Sequence, residues 1–452
     1  MDLIIVFWMV VASVGAAVLY TAIGVAPGTD ETAVLAPVTL ALVLAGVPLP
    51  VVLAFFMSAI VAKKLTDSIP VAVAGIPGGV MAAPMVEHAM VLKGEGLAST
   101  SIRKMASGSV IGTLVAVPAS LALAWALSPL ADTIAQYASQ VFVAGAIVLA
   151  LMSKHRWVAL ASIVPLAVAI QGLRSVYQTA GAVPEGTSVF VSLFLGITIG
   201  PLIYSLFELL VLEKRRELRR EEPHHIDLQR TAPIKGLANP FKILTRSEQA
   251  SAGVGAAMGT LTFFLTPVGM TILIGEGLAA RVKDKVARAS RAISTMDSLT
   301  NASYIAGTLV PLVALGLPIS PMAIGPANAL FNAPPVLTLE RNMHHLLSTS
   351  EIVVAVVIGS VVALLLTYQI AVRYAEVIGE FVFRRIPHEA LLSLFVALVV
   401  LLAFMDAGLL GIAGVLMIAL FAGRLHRWGV NYGVMFMTLY AAPWLVTNMV
   451  IG

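Results

Sequence analysis

Long apolar runs separated by short polar turns make up most of this chain. The first covers residues 3–25 and ends in Gly24-Val25-Ala26-Pro27-Gly28-Thr29-Asp30-Glu31-Thr32. This acidic, hydroxyl-rich turn leads straight into a second run, 33–62, interrupted at Pro37, Gly46, Pro48 and Pro50. Further runs follow at 105–127, 140–153, 157–171, 187–212, 250–280, 348–372, 388–405, 407–423 and 429–450. Those at 140–153 and 157–171 are short for a full span, whereas the rest approach or exceed the roughly twenty residues that a bilayer core requires. The N-terminus carries Asp2 and no basic cluster, so its apolar run reads as a first span and not as a cleaved signal peptide. The pattern predicts an all-α polytopic membrane protein of about 10–12 transmembrane segments, some of them broken or re-entrant.

Two breaks share one pattern. Residues 70–77 read P-V-A-V-A-G-I-P and residues 311–318 read P-L-V-A-L-G-L-P. Pro27 precedes Pro77 by fifty residues, and Pro267 precedes Pro318 by fifty-one. The order and spacing predict two inverted transmembrane repeats, 1–212 and 249–452, joined by a linker at 213–248. Backbone freed by Pro and Gly at membrane depth must be buried in protein or line a wet cavity. The broken hairpins near Pro77 and Pro318 are therefore expected to meet at the midplane. In the first half the candidate substrate-binding residues are Thr29, Thr32, Gly75, Pro77, Gly78 and Gly79. In the second they are Ser298, Thr300, Asn301, Ser303, Gly316 and Pro318. Asp30 and Asp297 are the candidates for a coupling ion, since ionisable groups inside a membrane are expensive and mark function by default. For Asp297 a second reading stays open, that it caps a helix starting at Ser298.

Composition agrees with the pattern: 59% of residues are hydrophobic, 12% are charged, and the mean hydropathy is +0.95. The absence of cysteine excludes disulfides, thiolate metal sites and a Cys nucleophile. The net charge of +4 comes mostly from short Lys/Arg clusters between apolar runs, which is membrane-loop chemistry and implies no nucleic-acid partner. Nine Lys or Arg in 213–248 place that linker in the cytoplasm by the positive-inside rule. His224 and His225 lie within it without a second ligand pair, so no metal site is expected. Lys63 and Lys64, after the second run, read as anchors snorkelling to the headgroups. The pairs Gly108/Gly112, Gly196/Gly200 and Gly255/Gly259 have the spacing of close helix packing.

Catalytic signatures are missing. The chain has no HExxH, no G-x-S-x-G elbow and no nucleotide loop, so neither an enzyme nor a pump driven by ATP is indicated, and no cofactor is called for beyond Na⁺ or H⁺ as coupling ion. The polar groups at membrane depth are hydroxyls, an amide and a few carboxylates. Ser, Thr and Asn donors with the N–H groups of half-helix N-termini can hold a carboxylate without a buried Arg.

The motifs carry a family resemblance. Gly24-Val25-Ala26-Pro27-Gly28 with Ala36-Pro37-Val38-Thr39, Ile76-Pro77-Gly78 with Glu87 and Lys93-Gly94-Glu95-Gly96, and Thr295–Ala302 with Leu309–Pro318 resemble the large membrane permease, TctA type, of tripartite tricarboxylate transporters. The likeness covers approximately residues 15–335. It departs from the family pattern at Pro267-Val268-Gly269, Ile319, Thr300, Asp297 and Glu87-His88-Ala89-Met90. The resemblance implies a secondary transporter in the cytoplasmic membrane of a prokaryote. Such a carrier takes up small organic anions, di- or tricarboxylates foremost, driven by Na⁺ or H⁺. It further implies two partners, a small four-span membrane subunit and an extracytoplasmic solute-binding protein. Two other readings stand beside it: a carrier or flippase of a different amphipathic anion, and a non-transporting membrane scaffold.

Overall fold

The computed structural model describes residues 2–26, 29–153, 155–183, 190–208, 211–212, 236–265, 267–385 and 388–451. Pro27, Gly28, His224 and His225, and with them most of the linker, lie outside the described residues. Among those described there is no strand, only isolated bridges at Ala333–Leu337 and Thr338–Arg341.

The first half begins with α1 (Leu3–Val25), which the Asp2 carboxylate caps by accepting from the Ile4 amide at 3.0 Å. It stops ahead of Pro27, whose ring disfavours helical geometry in the residue before it. Asp30 then caps the half-length α2 (Glu31–Leu44), accepting from the Thr32 and Ala33 amides at 2.9 and 3.3 Å. Next come α3 (Leu49–Thr66) and α4 (Ser68–Ala74). The chain turns back along α1: Ser58 donates to the Ser13 carbonyl (2.7 Å), and Gly24 lies against the Lys63 carbonyl. Thus α1 and α3 run parallel, with α2 as the return between them. The half continues with α5 (Val86–Gly94), the thirty-residue α6 (Ala98–Leu127), α7 (Ala131–Gln136), α8 (Ala138–Leu151), α9 (Arg156–Thr179) and α10 (Val191–Glu208).

The second half starts with the same order of elements. A Thr245/Glu248 capping box opens α11 (Arg246–Leu261), followed by the half-length α12 (Pro267–Ala279) and by α13 (Lys285–Val310), capped by Asp284. Thr295 bonds Ser251 (2.8 Å), Ser298 bonds the Ala252 carbonyl (2.8 Å) and Ser303 bonds the Gly259 carbonyl (3.3 Å), so α11 and α13 are also parallel. The chain ends with α14 (Thr349–Arg385), α15 (His388–Arg427) and α16 (Tyr432–Ile451). At Ala407–Gly408 the backbone of α15 leaves helical geometry, so two expected spans form one kinked element.

Each P-x₄-G-x-P motif ends a short helix at a left-handed glycine. Gly75 sits at φ 70°, ψ 20° after α4, and Gly316 at φ 65°, ψ 10° after a π-helical turn, Pro311–Leu315. Only glycine takes this conformation without a Cβ penalty.

The halves interlock. α6 of the first half packs on α13 of the second, where Gly112 brings its backbone against the Ser298 carbonyl; α14 of the second half packs on α3 of the first through Gly359 and Met57. The other paired glycines also serve close packing, Gly196 and Gly200 against α15, Gly255 and Gly259 against α13. Among the described residues eight helices are long and apolar enough to cross a membrane, and the shorter apolar helices Glu31–Leu44, Ala138–Leu151 and Val268–Ala279 supplement them. In α3–α4 and in α13, 94% of the most apolar stretch is buried, against 28% in α1, so these two form the axis of the bundle.

Candidate functional site

Where α3 crosses α13, ionisable side chains gather out of contact with solvent. Lys63 donates to Asp67 Oδ1 at 2.8 Å, one helical turn on, and Lys64 donates to Asp67 Oδ2 at 2.9 Å. Lys64 also reaches Glu31 Oε1 at 3.4 Å and stands 5.9 Å from the centre of the Tyr304 ring on α13. Both ammonium groups are at most 1% exposed. They are interior charges of the protein, and the expectation that they snorkel to the headgroups is corrected accordingly. Spacing decides the difference: a lysine three or four residues before an aspartate on one helix face meets it directly.

Asp297 joins this group from α13. It lies within the helix, far from the cap at Asp284, so it is not the cap of a helix starting at Ser298. Lys64 and Ser109 are its polar neighbours, with Lys64 paired to Glu31 and Asp67 and beyond ion-pair distance of Asp297. Asp30 completes the set beside Glu31 and Lys63. Two ammonium groups thus face four carboxylates, a formal excess of two negative charges when all are ionised. Burial of an uncompensated charge costs several kcal/mol, on the order of 3–5 when one partner of a pair is removed. Excess carboxylates therefore create a demand for protons or cations. Among the described residues no three His, Asp or Glu side chains converge as a ready-made metal-ligand group.

Glycines bring backbone up to these charges. The turn after α4 lays Gly78 against the Asp67 backbone and Gly79 against the Glu31 carboxylate, where a Cβ would collide. Thr29 donates to the Gly78 carbonyl (3.3 Å) and to Ala26 (3.0 Å), stitching the first break to the I-P-G-G turn.

An inner cavity of about 90 Å³ opens beside the cluster. The first half lines it with Asp30, Glu31, Thr32 and Met81, and the second with Tyr304, Met322, Gly325 and Phe436. Val80, Val268, Asn431 and Tyr432 also border a vestibule of about 470 Å³ with Ser153 and His426. The vestibule has the size of a small-molecule site, whereas the inner cavity is too small for one.

Not all candidates converge there. Thr29, Asp30, Thr32, Gly78 and Gly79 surround the cluster and its cavity. On α13, Ser298 and Ser303 bond α11, Thr300 bonds the Asp297 carbonyl (3.0 Å), and Asn301 donates to the Ser109 carbonyl and Thr113 hydroxyl on α6, both at 2.7 Å. The Asn301 carbonyl oxygen has no partner. Gly75 packs on Met90, among residues that contact Ile102 and Met105 of α6; Gly316 lies on His344, beside a cluster containing Ala124 and Leu127 of that helix. About twenty-two residues of α6, roughly 33 Å of axis, separate the two regions. The hairpins near Pro77 and Pro318 therefore do not meet at the midplane. Instead, the first break at 29–32 meets the segment 321–326.

The profile described as Tripartite tricarboxylate transporter TctA family matches residues 9–445. No curated protein and no solved structure matches the chain.

Proposed function

Because the chain belongs to the Tripartite tricarboxylate transporter TctA family, we propose that it is a secondary active permease whose buried carboxylates couple uptake of a small di- or tricarboxylate to Na⁺ or H⁺. Family membership makes it the large membrane component of such a system. It carries over the general expectation of a solute-binding protein and a small membrane subunit as partners; this chain's own partners belong to the proposal. So does its place in a prokaryotic inner membrane.

The observation that carries the reading is the charge excess beside a cavity lined by both halves. The surplus carboxylates take the coupling cation, and its charge offsets the field that would otherwise repel an anionic substrate from the cavity. Binding between repeats, at discontinuous helices, is the architecture of alternating access. By the positive-inside rule the basic ends Arg424, Arg427 and Arg156 face the cytoplasm, which puts the vestibule with Ser153 and His426 on that side.

Citrate uptake into proteoliposomes under an imposed Na⁺ or pH gradient tests the proposal. Gradient-dependent accumulation is the expected result. Citrate flux indifferent to both gradients would refute coupling, and no flux of any carboxylate with partner subunits present would refute carriage.

A further inference from the structure

A third cavity, of about 380 Å³, lies at the other end of the bundle and is used by nothing described so far. Its lining includes Arg174 and Gln178 near the end of α9, Asn332 after the 321–326 segment, Tyr440 on α16 and Glu340 at the rim. From the vestibule turn, α9 climbs about eighteen residues, roughly 27 Å, to Arg174. The two openings are thus on opposite faces.

The lining is built. Arg174 is half-buried and donates to Gln171 (3.1 Å) one turn earlier. A guanidinium offers five donors in a planar fork that matches a carboxylate. The Tyr440 hydroxyl accepts from the Asn328 amide at 2.8 Å. Two aromatic rings hold Tyr440 in place: Phe142 stacks on it at a centroid distance of 4.7 Å, and Phe190 lies tilted at 5.2 Å. Phe436, one turn before Tyr440, lines the inner cavity and packs on Phe194 at 5.1 Å. One helical turn, about 6 Å of α16, therefore separates the outer cavity from the inner one.

We propose that the outer cavity is a carboxylate-binding site, in which Arg174 with the Tyr440 hydroxyl and Asn332 amide receives a small di- or tricarboxylate before it passes the Phe436–Tyr440 turn. This assignment rests on the carrier reading above. Arg174 supplies charge and bidentate geometry, and Tyr440 and Asn332 supply orientation. Glu340 is exposed at the rim, where solvent screens its charge.

The cysteine-free chain makes a direct test available. Gln178→Cys places one thiol in the cavity, to be labelled with an impermeant maleimide from the face opposite the vestibule while citrate is added. Citrate at ten times its half-protecting concentration should slow labelling about tenfold, as mass action requires. Adding Arg174→Gln should raise that concentration about ten- to a hundredfold, the loss expected for hydrogen bonds to a charged group. Arg174→Lys should recover part of it, and Tyr440→Phe should weaken protection without disturbing the fold. Equal elution and unfolding temperature of the variants exclude misfolding. Unchanged labelling in protein that still transports citrate would overturn the outer site and leave the carrier reading standing. Protection in protein that moves no carboxylate with partner subunits present would uphold the site and refute the carrier reading.

Discussion

Replacing Lys64 by Met should destabilise the fold in proportion to the charge it leaves behind. Lys64 is within 2.9 Å of Asp67 and 3.4 Å of Glu31, and both partners are at most 5% exposed. Asp67 retains Lys63 at 2.8 Å, so the carboxylate that loses its direct ion pair is Glu31. Removing one partner of a buried pair costs about 3–5 kcal/mol. With an unfolding entropy of roughly 2.1 cal/mol/K per residue, a chain of this length loses about 3–5 °C in unfolding temperature. Thermal unfolding followed by the fluorescence of the five tryptophans reads this shift. Glu31→Gln on top of Lys64→Met removes the orphaned charge and should restore most of the loss. A surface anchor would change stability by less than about 0.5 kcal/mol. An unchanged unfolding temperature, or a double variant no better than the single one, would refute the compensated-cluster argument.

Other variants probe packing and backbone. Gly112→Leu drives a side chain into the Ser298 carbonyl at the α6–α13 crossing, and the expected outcome is aggregated protein on size exclusion, with a monodisperse variant counting against the crossing. Gly75→Ala and Gly316→Ala each force a left-handed Cβ, at a cost of about 1–2 kcal/mol by thermal unfolding; equal stability to the parent would contradict the turn geometry. Asn301→Ala removes both bonds to α6 and should abolish uptake while the protein still folds, at a stability cost of about 1–3 kcal/mol. Undiminished uptake would leave Asn301 a purely structural tie between α13 and α6.

Much of this architecture was legible in the pattern of apolar runs and breaks. Matching P-x₄-G-x-P motifs announced two glycine turns, and their φ and ψ values agree within about ten degrees. The family match, 9–445, extends the likeness read from motifs at 15–335 across nearly the whole chain. Motif order survives divergence that alters single residues such as Thr300 or Ile319. The ion-pair network was not foreseen, because a Lys-Lys pair at the end of an apolar run looks like a headgroup anchor until its depth is known. The i,i+3 and i,i+4 spacing to Asp67 was the available signal. Asp406, which accepts from the Ser192 amide (3.0 Å) next to the Ala407–Gly408 kink, is the single residue between the runs 388–405 and 407–423, and nothing local points to a partner 214 positions away. Arg174 carries no local signature at all: its cavity is assembled from α9, α16 and a loop 160 residues away. Parallel packing of α1 on α3 and of α11 on α13 likewise required long-range contacts that periodicity along one helix does not contain.

The most direct test of the account is cation flux coupled to citrate flux in proteoliposomes holding the wild-type chain, Asp30→Asn or Asp297→Asn. The buried carboxylate excess predicts that citrate drives Na⁺ or H⁺ inward in the wild type, and that at least one amide variant keeps citrate movement but loses its cation dependence. Cation dependence identical in all three proteins would contradict the assignment of coupling to this cluster.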